Sequence, residues 1–150
     1  TSIEVQRYRQ RTRGFGLIVY PFGAGNGASL AVRASYEELP AIELDIVGNR
    51  GSERYALTDG RAYDIGVGII VSDRASGWGL GSHAFVAGGL GRITGERGDG
   101  SRVFGEGGGG ISFGPVGLQL AVKFAYNRLQ DPRPHDFFTV PVTLRSTLSF

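Results

Sequence analysis

In Val116-Gly-Leu-Gln-Leu-Ala-Val-Lys-Phe-Ala-Tyr-Asn127, large apolar residues alternate with small or polar ones. Because successive side chains of a β-strand point to opposite faces, this period of two predicts a strand. The last segment, Phe138 to Phe150, repeats the alternation, and so do segments within 28–37, 41–47 and 62–72. The sequence therefore predicts an all-β protein.

The composition supports this class and excludes several others. Among 150 residues there are 26 Gly, two His and no Cys. Gly costs about 1 kcal/mol at each helical position, which disfavours a helical bundle. Without Cys there is no disulfide framework or thiol catalysis, and two His leave little room for a metal site. We expect no cofactor and no metal.

Positive charge is concentrated in one segment. The formal net charge is +2, but residues 1–13 carry four Arg against one Glu, so residues 14–150 are close to neutral with a net −1. A nucleic-acid-binding body would be expected to show a basic surface, so we expect no nucleic-acid partner. We divide the chain into a basic segment, 1–13, and a β-barrel, 14–150.

The face opposite the apolar one is made mostly of Gly, Ala, Ser and Thr, with single charges along it. A narrow barrel interior holds small residues, and lipid requires an apolar exterior. We therefore predict an antiparallel eight-stranded transmembrane β-barrel with its apolar residues outside. A soluble sandwich or lipocalin-like barrel is the alternative. The predicted strands are 14–20, 28–37, 41–47, 62–72, 83–93, 102–113, 116–127 and 137–150.

The connections between these strands alternate mostly between long polar loops and short turns, as in outer-membrane barrels. Eight strands place both ends of the barrel on the short-turn side. Pro141 cannot donate a ladder hydrogen bond, so we expect a bulge or local irregularity there. Aromatic residues of the lipid face form two predicted girdles at headgroup level. They are Tyr63, Tyr126 and Phe138 at the long-loop ends, and Tyr36, Phe113 and Phe150 at the short-turn ends.

The final strand, Phe138-Thr-Val-Pro-Val-Thr-Leu-Arg-Ser-Thr-Leu-Ser-Phe150, ends in Phe after alternating apolar residues. It is similar to the signal by which the barrel-assembly machinery recognises small Gram-negative outer-membrane barrels of the opacity-protein and outer-membrane protein A transmembrane-domain type. The chain from about residue 14 to 150 resembles that class. The resemblance implies location in the bacterial outer membrane, and partners that include the barrel-assembly machinery and outer-membrane lipid.

Charged residues on the predicted inner face are close to balanced. Because unpaired buried charges are costly, we expect them to pair into a network that plugs the lumen. A gated polar path for a small solute is the alternative. The predicted network is Arg33, Glu37, Glu43, Asp45, Asp64, Arg92, Glu106, Lys123 and Arg145.

Two glycine-rich runs on neighbouring strands predict a smooth outward patch. Small residues permit close approach of another surface, so the patch is a candidate docking site for an envelope protein or an acyl chain. Alternatively, Gly permits the strong coiling that a small barrel needs. The patch comprises Ala87, Gly89, Gly91, Gly105, Gly107 and Gly109.

These patterns favour a structural or interaction role, including docking to another envelope component. Arg residues of the predicted loops suit contact with lipopolysaccharide phosphates. The alternatives are a narrow channel for a small or hydrophobic solute and a lipid-modifying enzyme. We expect no enzyme, because Ser82 and His83 are adjacent on a strand and point to opposite faces. The stretch Lys123–Asn127 also lacks the His and Ser that outer-membrane lipid A deacylases carry on a late strand.

Overall fold

A computed structural model describes residues 12–23, 27–48, 51–57, 59–74, 79–95, 98–130 and 135–148; for 42–48, 51–57, 74 and 135 it describes the backbone alone. No helix occurs in these ranges, so none of them holds a helix able to cross a membrane. The predicted all-β class is confirmed. The strands are β1 (Gly14–Val19), β2 (Gly27–Glu38), β3 (Ile42–Gly48), β4 (Gly51–Leu57), β5 (Arg61–Arg74), β6 (Leu80–Gly95), β7 (Gly98–Phe113), β8 (Val116–Leu129), β9 (His135–Thr139) and β10 (Val142–Leu148).

Eight of the strands form one antiparallel sheet in the order β1-β2-β5-β6-β7-β8-β10, and β9 also pairs with β8. β9 and β10 keep the same register against β8, with Thr139 opposite Ala125 and Val142 opposite Val122. They are two pieces of one strand, interrupted beside Pro141. The irregularity predicted there is confirmed, and it contains no bulge. The sheet therefore has seven strand positions, and it is not closed into a barrel.

The prediction that segment 41–47 is the third strand of the barrel sheet is wrong, although the segment does form a strand. β3 and β4 form a separate two-stranded ribbon, and β2 pairs directly with β5. The backbone N–H of Leu39 donates to the carbonyl of Gly60 at 2.7 Å, which extends the β2–β5 pairing one step beyond Glu38 and Arg61. The predicted loop 48–61 contains a strand because only Asn49 and Arg50 separate the paired residues Gly48 and Gly51, a length suited to a hairpin.

The odd number of positions changes the predicted placement of the ends. Neighbouring strands run antiparallel, so β1 and β10 run in the same direction and lie at opposite edges of the sheet. We call the end with Glu38, Gly95 and Leu129 the hairpin end, and the end with Val19 and Phe113 the turn end. β1 begins at the hairpin end and β10 finishes at the turn end, so the expectation that both ends share the short-turn side is wrong.

The sheet is strongly curled. Nζ of Lys123 on β8 lies 3.0 Å from Oδ2 of Asp64 on β5, although β6 and β7 separate the two strands. In a flat sheet these strands would be about 14 Å apart, at ~4.8 Å a step. The charges therefore line the inside of the curve. On the outside of the curve, Ile65 and Val67 are 63% and 58% exposed. Asp64, which precedes Ile65 and points to the inside, is 6% exposed.

Two apolar clusters share the inside of the curve with the charges. On β5 the order from the hairpin end is Ala62, Asp64 and Ile70, and Ala62 and Ile70 belong to different clusters. On β8, Lys123 likewise lies between Leu129 of one cluster and Ala121 of the other. The charged residues are therefore flanked along both strands by apolar packing.

Candidate functional site

The candidate site is a buried ionic network on the inside of the sheet. At its centre, Arg102 on β7 donates through Nε to Oδ1 of Asp64 at 2.5 Å and through Nη2 to Oε2 of Glu37 at 2.9 Å. Lys123 donates to the same two carboxylates, and its Nζ lies 3.0 Å from Oδ2 of Asp64. Two cations thus face two carboxylates contributed by β2 and β5.

A second group of charges extends the network toward β10. Nη1 of Arg33 lies 2.6 Å from Oε2 of Glu106, and Arg145 pairs with the other oxygen of the same carboxylate. Nη2 of Arg145 also lies 3.9 Å from Oε1 of Glu37, which joins the two groups. The whole arrangement, hereafter the ionic network, comprises Arg33, Glu37, Asp64, Arg102, Glu106, Lys123 and Arg145.

The pairing explains how these charges are tolerated away from water. Burying an unpaired ion costs several kcal/mol, and a buried pair offsets that cost only with good geometry and further hydrogen bonds. Each of the three carboxylates touches at least two cations. The stem of Lys123 is fully buried, and its Nζ lies 5.0 Å from the centroid of the Phe104 ring. The network contains four cations and three carboxylates, so its formal charge is +1.

Inward glycines make the space for these large groups. A Cβ at Gly91 would lie 3.0 Å from Cγ of Arg102 and would also collide with the Asp64 carboxylate. A Cβ at Gly66 would lie 2.9 Å from Cζ of Phe104, the ring beneath Lys123. Gly at positions 66 and 91 therefore leaves the space that Phe104 and Arg102 fill.

The sequence placed six members of the ionic network correctly on the inner face. It missed Arg102. Arg102 lies four residues before Glu106 on β7, so strand alternation puts both side chains on the same face and could have identified it. Arg92 was wrongly assigned to the lumen. It lies on the outer face, where its exposed guanidinium is 2.7 Å from the carboxylate of Asp99.

The prediction that Glu43 and Asp45 belong to the lumen network is wrong, because neither residue lies on the sheet that carries the network. Both belong to β3 in the ribbon, which is not a strand of the sheet that carries the network. Their side chains lie outside the described part of the structure.

The predicted docking patch is half wrong. Gly105, Gly107 and Gly109 lie on the outer face of β7; around Gly105 there is open space. Ala87, Gly89 and Gly91 lie on the inner face of β6 instead. A β-strand alternates strictly, and the inward neighbours of these residues, His83 and Phe85, fix the parity of β6. The residues of β6 that register with the outward β7 glycines are Ala84, Val86 and Gly88.

The predicted girdles are partly reorganised. Tyr36 registers with Tyr63, and their ring centroids are 5.4 Å apart, so Tyr36 lies at the hairpin end and not at the turn end. The ring centroids of Tyr126 on β8 and Phe138 on β9 are 5.0 Å apart. This pair lies at the same end and on the same outer face, near the other edge of the sheet. Phe113 is exposed at the turn end as predicted. Phe150 lies outside the described residues.

Two further polar groups on the inner face lie outside the ionic network. Nε2 of His83 lies 3.3 Å from Nε2 of Gln119. The side-chain amide of Asn127 donates to the carbonyls of Ala125 and Phe137, each at 3.2 Å. Among the residues that the structure describes, no group of three or more His, Asp and Glu is placed to hold a metal ion.

Comparison of the chain with protein-family models, with curated proteins and with solved structures finds no match.

Proposed function

We propose that this protein spans the bacterial outer membrane as a β-barrel whose interior is filled by ion pairs, and that its role is structural or interactive. One observation carries the proposal: the two faces of the sheet are inverted relative to a water-soluble protein. On β5, alternate residues from Tyr63 to Val71 are apolar and exposed, while Asp64 between them is buried. Lipid favours that arrangement and water opposes it.

The size of the apolar exterior strengthens the argument. Exposed residues of this kind occur on every strand of the sheet from β1 to β10, among them Leu17, Leu90, Leu120 and Leu144. Soluble monomers rarely expose continuous apolar patches larger than a few hundred Å². An apolar belt around the outside, with aromatic rings such as Tyr63 and Phe138 near one end, is the surface that a bilayer would cover.

The filled interior favours an interaction role over transport. The ionic network lies between two apolar clusters along β5 and β8, so a solute moving along the strands would have to displace both charges and packed side chains. Such a lumen serves as a stabilising plug. The β3–β4 ribbon continues beyond the β2–β5 pair and, with the loops of the hairpin end, supplies the surface for an envelope partner or for lipopolysaccharide.

The proposal is tested by cell fractionation. We expect the protein to sediment with outer membranes and to resist extraction at alkaline pH. Val67→Arg should sharply lower the assembled amount, because Arg at the lipid face costs about 2–4 kcal/mol near the bilayer midplane. The matched control is Ser101→Arg, at the hairpin end of the outer face, which should assemble normally. Recovery of the unmodified chain in the soluble fraction without detergent would refute the proposal.

A further inference from the structure

The excess positive charge of the ionic network lies in its second group. There, Arg33 and Arg145 share one carboxylate, that of Glu106, and each contacts a different oxygen of it. Arg145 also lies 3.9 Å from Glu37, but that contact is long, and the Glu37 carboxylate already pairs with two other cations. The two guanidiniums therefore have one carboxylate between them, and this group carries a formal +1.

Within the part of the chain that the structure describes, no further carboxylate is placed to balance this charge. The carboxylates outside the network are all exposed, on the outer face or at the ends of the sheet: Glu38, Asp59, Asp73, Asp99 and Asp136. The side chains of Arg33 and Arg145 are only 11% and 18% exposed, so water balances their charge poorly. A mostly buried cation without a counter-charge is costly, and the pair therefore favours a second negative charge beside it.

A cavity on the inside of the curve adjoins Arg33. Its walls are mostly apolar, with Ile18 and Phe85 among them, and the two polar side chains that line it are those of Arg33 and Gln119. The cavity has room for about one particle the size of a water molecule. A monatomic ion fits that space, whereas phosphate and organic anions are too large for it.

Gln119 supplies a hydrogen-bond donor on the opposite wall of the cavity. Its residue is 3% exposed, and it registers with Arg145 on the neighbouring strand β10. The side-chain amide has two N–H donors, and its contact of 3.3 Å with Nε2 of His83 uses at most one of them. A guanidinium and an amide donor thus face the same small space, and donors of this kind bind an anion.

We propose that the cavity between Arg33 and Gln119 binds a single chloride ion, which accepts hydrogen bonds from the Arg33 guanidinium and the Gln119 amide. The ion balances the charge that Arg33 and Arg145 share over Glu106, and it makes the network neutral. The proposal rests on the inside of the sheet alone, so it holds in a detergent micelle as well as in a bilayer.

The first test is a urea titration of the full chain in detergent micelles, at constant pH and ionic strength, with sodium gluconate replaced stepwise by sodium chloride. An ion that binds only the folded chain stabilises it by mass action. We expect the unfolding constant to fall up to tenfold for each tenfold rise in chloride above the dissociation constant, and bromide to act in the same way. Equal unfolding constants in chloride and in gluconate would overturn the proposal.

Two variants locate the effect. Gln119→Glu places a carboxylate on the cavity wall, so we expect a midpoint that no longer depends on chloride and that exceeds the midpoint of the unmodified chain in gluconate. Arg33→Gln removes one of the two cations that share Glu106, and it should also abolish the dependence. Arg92→Gln on the outer face is the control and should keep the full dependence. Chloride dependence that persists in either inner-face variant would refute this site.

Anomalous diffraction from crystals grown in sodium bromide then shows the position of the ion directly. We expect one peak within hydrogen-bond distance of Arg33 and Gln119. Peaks at exposed guanidiniums alone, which would be adventitious ions only, would overturn the proposal. Membrane insertion is tested separately by the fractionation, and its failure would leave this result unaffected.

Discussion

Nη2 of Arg145 on β10 lies 3.9 Å from Oε1 of Glu37 on β2, although four strands separate β2 and β10 in the order of the sheet. In a flat sheet the two strands would be about 24 Å apart, at ~4.8 Å a step. The ion pairs therefore connect parts of the sheet that backbone hydrogen bonds do not. We infer that the ionic network holds the curvature as well as filling the interior.

Removal of one buried cation should be strongly destabilising. Lys123→Met removes the ion pairs with Glu37 and Asp64 and leaves these two carboxylates to share Arg102, and breaking a buried pair in this way costs about 3–5 kcal/mol. The free energy of unfolding is measured by urea titration in lipid vesicles. The control is Arg92→Gln, which removes the exposed pair with Asp99 and should cost less than about 1 kcal/mol. Similar losses for both variants would argue against a network that depends on burial.

Two glycines on neighbouring strands should respond differently to an added methyl group. Gly91→Ala places a Cβ 2.8 Å from the carbonyl oxygen of Tyr63 and against the Asp64 carboxylate. Such overpacking costs about 1–3 kcal/mol. Gly105→Ala meets no atom within 4 Å and should be neutral or stabilising by up to about 1 kcal/mol. The two unfolding midpoints measure this difference, and a larger loss at Gly105 would contradict the assigned faces.

Most of the strands and their facing could be predicted from the sequence, because a period of two specifies both. On β8, residues Val116 to Asn127 alternate without a break, and the structure assigns each to the expected face. The glycine runs could not be resolved in this way. In Ala87-Gly-Gly-Leu-Gly91 the one large side chain, Leu90, lies outward, but Phe85 and Ile93 on the opposite parity are equally large and lie inward. Apolar side chains on both parities give no consistent facing, and the cross-strand register resolves it.

The ribbon illustrates a second limit. Ile42, Leu44 and Ile46 alternate as well as any barrel strand, yet β3 leaves the sheet. Alternation specifies that a segment is extended; it does not specify which strand becomes its neighbour. That choice depends on the register of β2 with β5, a long-range pairing that local patterns do not encode.

Replacing Pro141 should remove the break between β9 and β10. Lys123 keeps its N–H bond to the Pro141 carbonyl at 3.0 Å, but Pro141 has no N–H to return. Pro141→Val restores the donor in an unchanged register, so β9 and β10 should join and stability should rise by about 0.5–1.5 kcal/mol. Hydrogen exchange at residue 141 checks this directly: we expect protection, and rapid exchange would show that other constraints interrupt the strand.

The filled interior predicts an impermeable protein. Vesicles that contain it should retain entrapped K⁺ and a small fluorescent anion as well as protein-free vesicles do, because the ionic network and both apolar clusters occupy the lumen. Leakage is followed over time after reconstitution. Steady, selective loss of either solute would support the channel alternative over the plug.

If the outer face of the sheet meets lipid, a spin-label scan of β5 detects that contact residue by residue. Single cysteines replace each residue from Ala62 to Val71 except Asp64, Gly66 and Gly68 in vesicle-embedded protein, and collisions with oxygen and with a water-soluble nickel chelate are measured. We expect oxygen accessibility to peak at Tyr63, Ile65, Val67, Ile69 and Val71, with low accessibility to both reagents between them. Peaks for the nickel chelate at those same positions would contradict the account.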